Sequence, residues 1–200
     1  ESQARILRRI RALPKIDIHR HLTGSIDADL ALYIASKYDI SLPTYFYSEL
    51  YELITKRPTP LSHQEYFKRW EVLNKLFSTP ESTYEILINV IRKAAEDNVI
   101  YMELRTGPRG FLGKNDFTFE NFIQSIHSAS IEGERKYGVI TRYILGITRH
   151  GVFNNINSTT RNKMFYKIIS CIKDHCPHIF VGVDLNGIEF ESNQELYEPF

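Results

Sequence analysis

Two histidines separated by a single residue, His19 and His21, are the side chains in this sequence best suited to hold a metal ion. They end the segment Lys15–His21, in which polar and apolar residues alternate. Alternation is the period of a strand and places both imidazoles on one face, about 7 Å apart along the backbone. Because imidazole suits zinc and other borderline divalent ions, the pair predicts two ligands of one metal. The alternative is two unrelated histidines beside Arg20.

The elements that must position this pair alternate between helices and strands. Predicted helices cover residues 1–13, 27–38, two stretches within 45–78, 84–96, 119–137 and 158–174; predicted strands cover 15–21, 99–105, 139–148 and 179–185. Connections of this length are too long for hairpins, so the strands are expected to be parallel in an α/β fold. No low-complexity linker divides the chain, and we expect residues 1–200 to belong to one domain.

The predicted strands are polar on one face and aliphatic on the other. The polar face carries Asp17, His19 and His21 in the first strand, Tyr101, Glu103 and Arg105 in the second, and Asp184 in the fourth. A doubly wound sheet buries both faces and has near-continuous apolar strands. A barrel with a polar lumen fits this pattern better. We therefore predict the first four strand–helix units of a (β/α)8 TIM-type barrel, which at about 250 residues is incomplete in this chain.

Three segments, in order, resemble the signatures of the adenosine deaminase family of metal-dependent amidohydrolases. The segment LPKIDIHRHLTGSI at 13–26 resembles the first-strand signature, and Tyr101–Arg105 with Pro108 resembles the second-strand pattern Y-x-E-x-R-x-x-P. Val181–Glu189 resembles the fourth-strand pattern, a hydrophobic residue followed by D-L-x-G-x-E. The resemblance implies that residues 1–200 are the amino-terminal half of one metal-dependent deaminase barrel.

The resemblance also assigns roles to individual residues. It implies that His19 and His21 bind one Zn²⁺ ion, that Gly187, Thr23, Gly24 and His150 border the substrate, and that Asp17, Glu103, Arg105 and Asp184 support the site. The implied reaction is hydrolytic deamination of an adenine base, of the adenosine-to-inosine or ATP-to-ITP type, with release of ammonia. The family's general acid and its remaining metal ligands lie in later strands, so the acid is expected beyond Phe200.

One residue departs from the family pattern. Thr23 stands where the family commonly has an aspartate that accepts a hydrogen bond from the ribose 5′-hydroxyl. A carboxylate would repel a 5′-phosphate, whereas a hydroxyl can donate to one. Thr23 therefore favours an adenine nucleotide such as ATP; the alternative is drift at a tolerant position. Arg20, Arg109 and Lys114 are candidate phosphate partners, or else solvated charges.

Composition excludes some partners and leaves others open. Twenty-five Lys and Arg against 24 Asp and Glu give a net charge of +1, too balanced for direct nucleic-acid binding. The sequence contains no run of about 18 apolar residues that would predict a membrane span. We expect a cytoplasmic protein. The first residue is Glu1 rather than Met, so we expect further chain before it. The partners expected are an adenine nucleoside or nucleotide and the remainder of the barrel.

The resemblance extends to deaminase domains fused to sensor domains in antiphage and CRISPR-associated proteins. A fused sensor domain and a homo-oligomer are therefore further expectations for the whole protein. Two other functions stay open at this stage. One is a different amidohydrolase that uses the same histidines to cut an amide or ester. The other is a catalytically silent barrel that binds nucleotides for regulation.

Overall fold

The computed structural model describes residues 2–55, 63–107, 117–148 and 158–186. Helices and strands alternate along them as the sequence predicts. The helices are α1 (Gln3–Ala12), α2 (Ala28–Lys37), α3 (Tyr47–Ile54), α4 (His63–Asn74), α5 (Pro80–Glu96), α6 (Phe119–Tyr137) and α7 (Ser158–His175), with a 3₁₀ turn at Thr23–Ser25. The strands are β1 (Lys15–His21), β2 (Val99–Thr106), β3 (Ile140–Thr148) and β4 (Phe180–Asn186).

Side-chain caps explain where several helices begin and end. The Asp27 carboxylate accepts from the Leu30 amide at 3.0 Å and starts α2, as predicted. A capping box of Thr118 and Asn121 starts α6, which ends at Gly138 with φ +70°. Helix α5 begins at Pro80, where Thr79 caps it in a capping box with Ser82.

The four strands form one parallel sheet in the order β1-β2-β3-β4. Helices lie between successive strands along the chain, so the α/β class with four parallel strands that alternate with helices is confirmed. Within the described parts of the chain, no helix is both long enough and apolar enough to cross a membrane.

The outer face of the central strands packs against helices. Met102 and Leu104 of β2 and Tyr143 and Leu145 of β3 are buried in the main hydrophobic core. The Tyr143 hydroxyl lies 2.8 Å from the Ser130 hydroxyl of α6, and burial raises the pKa of this tyrosine. The central strands thus have the covered outer face that a β/α barrel requires.

The outer strands expose aliphatic side chains instead. Ile16 and Ile18 of β1 are 68% and 63% exposed, and Val181 and Val183 of β4 are 50% and 58% exposed. The sequence predicted that these residues pack against helices, and in the described parts of the chain they do not. Both edges of the sheet therefore carry apolar surface beside strand hydrogen-bonding groups that pair with no further strand of this sheet.

A β-bulge interrupts β1 just before the site. Asp17 pairs with Met102 and Arg20 pairs with Leu104. The step from Asp17 to Arg20 covers three residues of β1, whereas the partner step covers two residues of β2. His19 lies within this step and has φ +69°, in the left-handed region.

Because of the bulge, the side chains of β1 do not alternate between the two faces along its whole length, as the sequence predicted. The register partners of Asp17 and Arg20 are both buried outer-face residues, and the two side chains form an ion pair at 2.7 Å. His21 instead pairs with Arg105, on the opposite, inner face of the sheet. The expectation that Asp17 shares a face with His21 is therefore wrong: the inserted residue separates them.

Candidate functional site

The inner face of the sheet gathers three of the predicted site residues around the guanidinium of a fourth, Arg105. Arg105 of β2 contacts the Asp184 carboxylate of β4 at 2.5 Å through Nη2. Its Nη1 lies 3.2 Å from His19 Nε2 and 3.5 Å from His21 Nε2. Parallel strands end at the same edge, which is why residues more than 160 positions apart meet here.

These contacts define which histidine nitrogens carry lone pairs. An arginine side chain only donates hydrogen bonds, so an imidazole nitrogen that pairs with it must accept. Both Nε2 atoms therefore direct a lone pair toward the same Nη1 atom, and both protons reside on Nδ1. The two rings are 5.6 Å apart between centroids and nearly perpendicular, at 78°. Two imidazole lone pairs converging on one small region is the arrangement that a shared metal ion needs.

The electrostatic environment favours the neutral form of His21. Burial holds the pKa of His21 below its usual value, and the charges of Arg105 and His19 lower it further, while Asp184 opposes them. A metal ion binds the neutral imidazole, so this environment keeps the ligand form available at neutral pH.

Trp70 of α4 encloses the end of β1. Its ring packs edge-on against His21, with centroids 5.2 Å apart. It also lies against Gly24, where an added Cβ would come within 3.2 Å of the indole. The Ser25 hydroxyl donates to the His21 carbonyl at 2.8 Å and fixes the turn that follows. A cleft of about 510 Å³ opens here, lined by Arg20, His21, Gly24, Ser25, Trp70 and Lys93.

Sequence reasoning did not identify Trp70 as a neighbour of the site. The aromatic segment from Tyr45 to Trp70 fits either helix packing, which its sequence favours, or a cover over the substrate pocket. The one distinguishing signal of Trp70 is that it is the chain's single tryptophan. Asn74, one turn further along α4, was missed as well. Its Oδ1 accepts a hydrogen bond from the Thr23 hydroxyl at 3.1 Å. Nothing in the local sequence links these two residues.

Other predicted residues have different partners. Glu103 faces inward, but its carboxylate accepts from the Tyr101 hydroxyl at 2.8 Å on the same strand. Arg20 is bound to Asp17 and lies on the outer-face register. Gly187, His150, Arg109 and Lys114 lie outside the described residues.

The described residues supply two fitting ligands for a metal ion, His19 and His21. Nowhere in the described ranges do three or more His, Cys, Asp or Glu side chains group closely enough to hold one. A catalytic zinc uses three protein ligands and keeps an open position. A complete site therefore requires at least one ligand from outside these ranges.

Comparisons with known proteins agree with this arrangement. The sequence pattern of the family described as adenosine deaminase matches residues 14–200. An adenosine deaminase of Clostridium perfringens is 28% identical over 186 residues, which cover 93% of this chain and 53% of the relative. An adenosine deaminase of Clostridium botulinum is 34% identical over 138 residues, or 69% of this chain and 41% of the relative.

Solved structures share the fold. An amidohydrolase of Burkholderia ambifaria with bound zinc superposes with a TM-score of 0.78 at 19% identity, covering 98% of this chain and 50% of that one. An adenine deaminase of Arthrobacter aurescens gives 0.71 at 18% identity, covering 89% and 50%. The N6-methyl-AMP deaminase of Arabidopsis thaliana gives 0.62 at 22% identity, covering 90% and 51%. The chain spans about half the length of the relatives it matches.

Proposed function

Because this chain belongs to the adenosine deaminase family, we propose that its protein is a zinc-dependent hydrolase that removes the amino group of an adenine base. The observation that carries the proposal is the convergence of the His19 and His21 Nε2 atoms on one point of the inner face. A zinc-bearing amidohydrolase among the structural relatives supports the choice of metal.

Each residue of the cluster has a distinct task in this reaction. His19 and His21 would hold the ion through Nε2, and zinc, when bound, supplies a water of lowered pKa for attack on the amidine carbon. Trp70 packs on His21 and restricts rotation of its ring. Asp184 holds the guanidinium of Arg105 beside the ligands. The general acid is expected from a part of the protein beyond residue 200.

The test is adenine turnover by the full protein, followed by the ultraviolet absorbance change of deamination and by metal analysis. Wild type is expected to contain one zinc and to release ammonia. His19→Ala should lose both the zinc and more than about 99% of the rate, because catalysis by a zinc-activated water is worth several kcal/mol. The matched control is His178→Ala, an exposed histidine after α7, which should change neither.

Two outcomes would reassign the function. A metal-free wild type that still binds adenine nucleotides would support a catalytically silent nucleotide-binding barrel. A zinc protein that cuts amides or esters and leaves adenine intact would support a different amidohydrolase.

For the substrate, we favour an adenine nucleotide over adenosine. Thr23 replaces a carboxylate that would repel a 5′-phosphate. One related structure is that of an N6-methyl-AMP deaminase, and another was solved in complex with GMP, which supports a phosphorylated purine as the ligand. Thr23 donates its one hydroxyl proton to Asn74 Oδ1, so it can bind a phosphate only if Asn74 turns its amide N–H toward Thr23.

Competition between substrates tests this part of the proposal. Wild type should have a higher kcat/KM for AMP or ATP than for adenosine. Thr23→Asp should reverse that order through charge repulsion. Thr23→Val, which keeps the shape and removes the hydroxyl, should weaken nucleotide turnover by about tenfold, the value of one hydrogen bond to a charged group. A wild type that prefers adenosine would contradict the nucleotide assignment.

The domain assignment is also a proposal: residues 1–200 form the amino-terminal half of one barrel. The exposed aliphatic residues of β1 and β4 support it, because closure by four further strand–helix units would cover them. A homo-oligomer and a fused sensor domain, as in antiphage or CRISPR-associated deaminases, belong to the same proposal. Mass photometry of the full protein, together with turnover before and after addition of nucleotide signals, tests both.

A further inference from the structure

Arg105 occupies an unusual position for a supporting residue. Its side chain is only 10% exposed, and it is a cation beside the two nitrogens expected to bind a cation. Its Nε is buried and has no hydrogen-bond partner within the described residues. A buried donor left without a partner costs about 1–3 kcal/mol, and the contacts of the guanidinium that the described residues supply are made by the Nη atoms.

The two Nη groups serve different partners. Nη2 binds Asp184, while Nη1 faces both histidine lone pairs. An ion held by both Nε2 atoms would lie in the region that Nη1 faces. Like charges repel strongly at such short range in a partly buried site. The guanidinium and the metal therefore compete for the same two lone pairs. When the metal takes these lone pairs, the guanidinium keeps its contact with Asp184.

We propose that Arg105 is a positioning residue that stands in for the metal: in the metal-free protein it holds His19 and His21 in ligand geometry, and it withdraws toward Asp184 when zinc binds. This inference rests on the proposed function, since it requires that the two histidines bind zinc. It makes the arginine a stabiliser of the metal-free state that lowers the affinity for the metal.

Thermal melting with and without zinc, together with zinc titration against a competing chelator, tests the inference on the full protein. Arg105→Met should lower the melting temperature of the metal-free protein by a few degrees and that of the zinc-loaded protein by less. Zinc should then bind about tenfold more tightly than to wild type. Arg105→Gln, which retains an N–H donor without the charge, should tighten zinc binding in the same direction and serves if Arg105→Met does not fold.

Two controls separate charge from general structural damage. Arg105→Lys retains the cation and should bind zinc within about threefold of wild type. Arg142→Met removes an arginine of β3 that pairs in register with Glu103 and whose guanidinium donates to a backbone carbonyl, and it should leave zinc affinity unchanged.

The inference is overturned if Arg105→Met and Arg105→Gln weaken zinc binding. It is equally overturned if Arg105→Met lowers both melting temperatures by the same amount, or if Arg105→Lys tightens binding as much as Arg105→Met does. Absence of zinc binding in wild type and in every variant would overturn the proposed function and this inference together. Zinc binding by wild type with any of the first three results would overturn this inference alone.

Discussion

The central and outer strands of this sheet have similar alternating sequences and very different surroundings. In β2, Met102 and Leu104 are buried beneath helices α5 and α6. In β1, Ile16 and Ile18 also alternate with polar residues but are mostly exposed, and the register pairs Ile16 with Tyr101 on the inner face. Alternation thus predicts a strand but does not tell whether its apolar face is covered. Coverage depends on which face of the strand the apolar residues occupy and on whether a helix packs on that face, and the described helices pack most extensively on the central strands.

The site lies across this boundary. Arg105 comes from a central strand, while His19, His21 and Asp184 come from the two outer strands. The buried centre therefore supplies the cation around which side chains from the less enclosed strands are arranged. The contrast in burial predicts large effects of substitutions at the centre and small ones at the edges.

The largest expected loss follows from truncating the central strand. Leu104→Ala should reduce the free energy of unfolding by about 3 kcal/mol, because it removes a fully buried side chain and leaves a cavity. Urea denaturation measures this loss. A loss below about 1 kcal/mol would mean that the outer face of β2 is not enclosed as the structure describes.

A smaller loss is expected where the two covering helices meet. A Cβ added at Gly133 of α6 would lie 2.6 Å from Cδ1 of Ile91 in α5. Gly133→Ala should therefore cost about 2 kcal/mol through overpacking. The matched control is Gly182→Ala in β4, where an added Cβ meets nothing within 4 Å and should cost almost nothing. Equal losses from the two substitutions would contradict the contrast between centre and edge.

Removing one buried hydrogen bond should have a smaller effect. Ser130→Ala deletes the hydroxyl that contacts Tyr143, and the expected loss of stability is about 1 kcal/mol. Thermal melting of Ser130→Ala, Tyr143→Phe and the double variant measures the coupling between them. Tyr166→Phe, at an exposed tyrosine of α7, should leave the melting temperature unchanged. Additive losses in the double variant would show that the two hydroxyls are not paired.

The smallest effects are expected at the edges. Ile18→Ala and Val183→Ala should each change the stability of the 200-residue chain by less than about 0.5 kcal/mol, because both side chains are mostly exposed. The same substitutions in the full protein test barrel closure. A loss above about 2 kcal/mol there would show that further elements cover β1 and β4. An equally small loss would contradict the half-barrel proposal.

Much of the fold follows from the sequence because its signals are local. Strand alternation, the caps at Asp27 and Thr118 and the left-handed Gly138 placed most elements to within a few residues. The residues from Ile16 to His19 alternate and Arg20 interrupts the pattern, but one polar residue at such a position does not specify a bulge, so the bulge at His19 could not be foreseen. A bulge depends on how β1 pairs with β2, which is a tertiary property.

The site was predicted to the same extent and for the same reason. His19, His21, Arg105 and Asp184 share the polar pattern of their strands, and the structure brings them together. Trp70 and Asn74 approach from α4, whose docking no local pattern encodes. Asp17 was misplaced because one inserted residue exchanges the faces of a strand.

The central claim is that His19 and His21 ligate one metal ion, and X-ray absorption at the zinc edge of the full protein tests it most directly. At least two imidazole nitrogens are expected at about 2.0–2.1 Å from zinc, and one fewer in a His21→Ala variant reconstituted with excess zinc. His178→Ala should leave the spectrum unchanged. A spectrum without imidazole scattering, or one unaltered by His21→Ala, would contradict the claim.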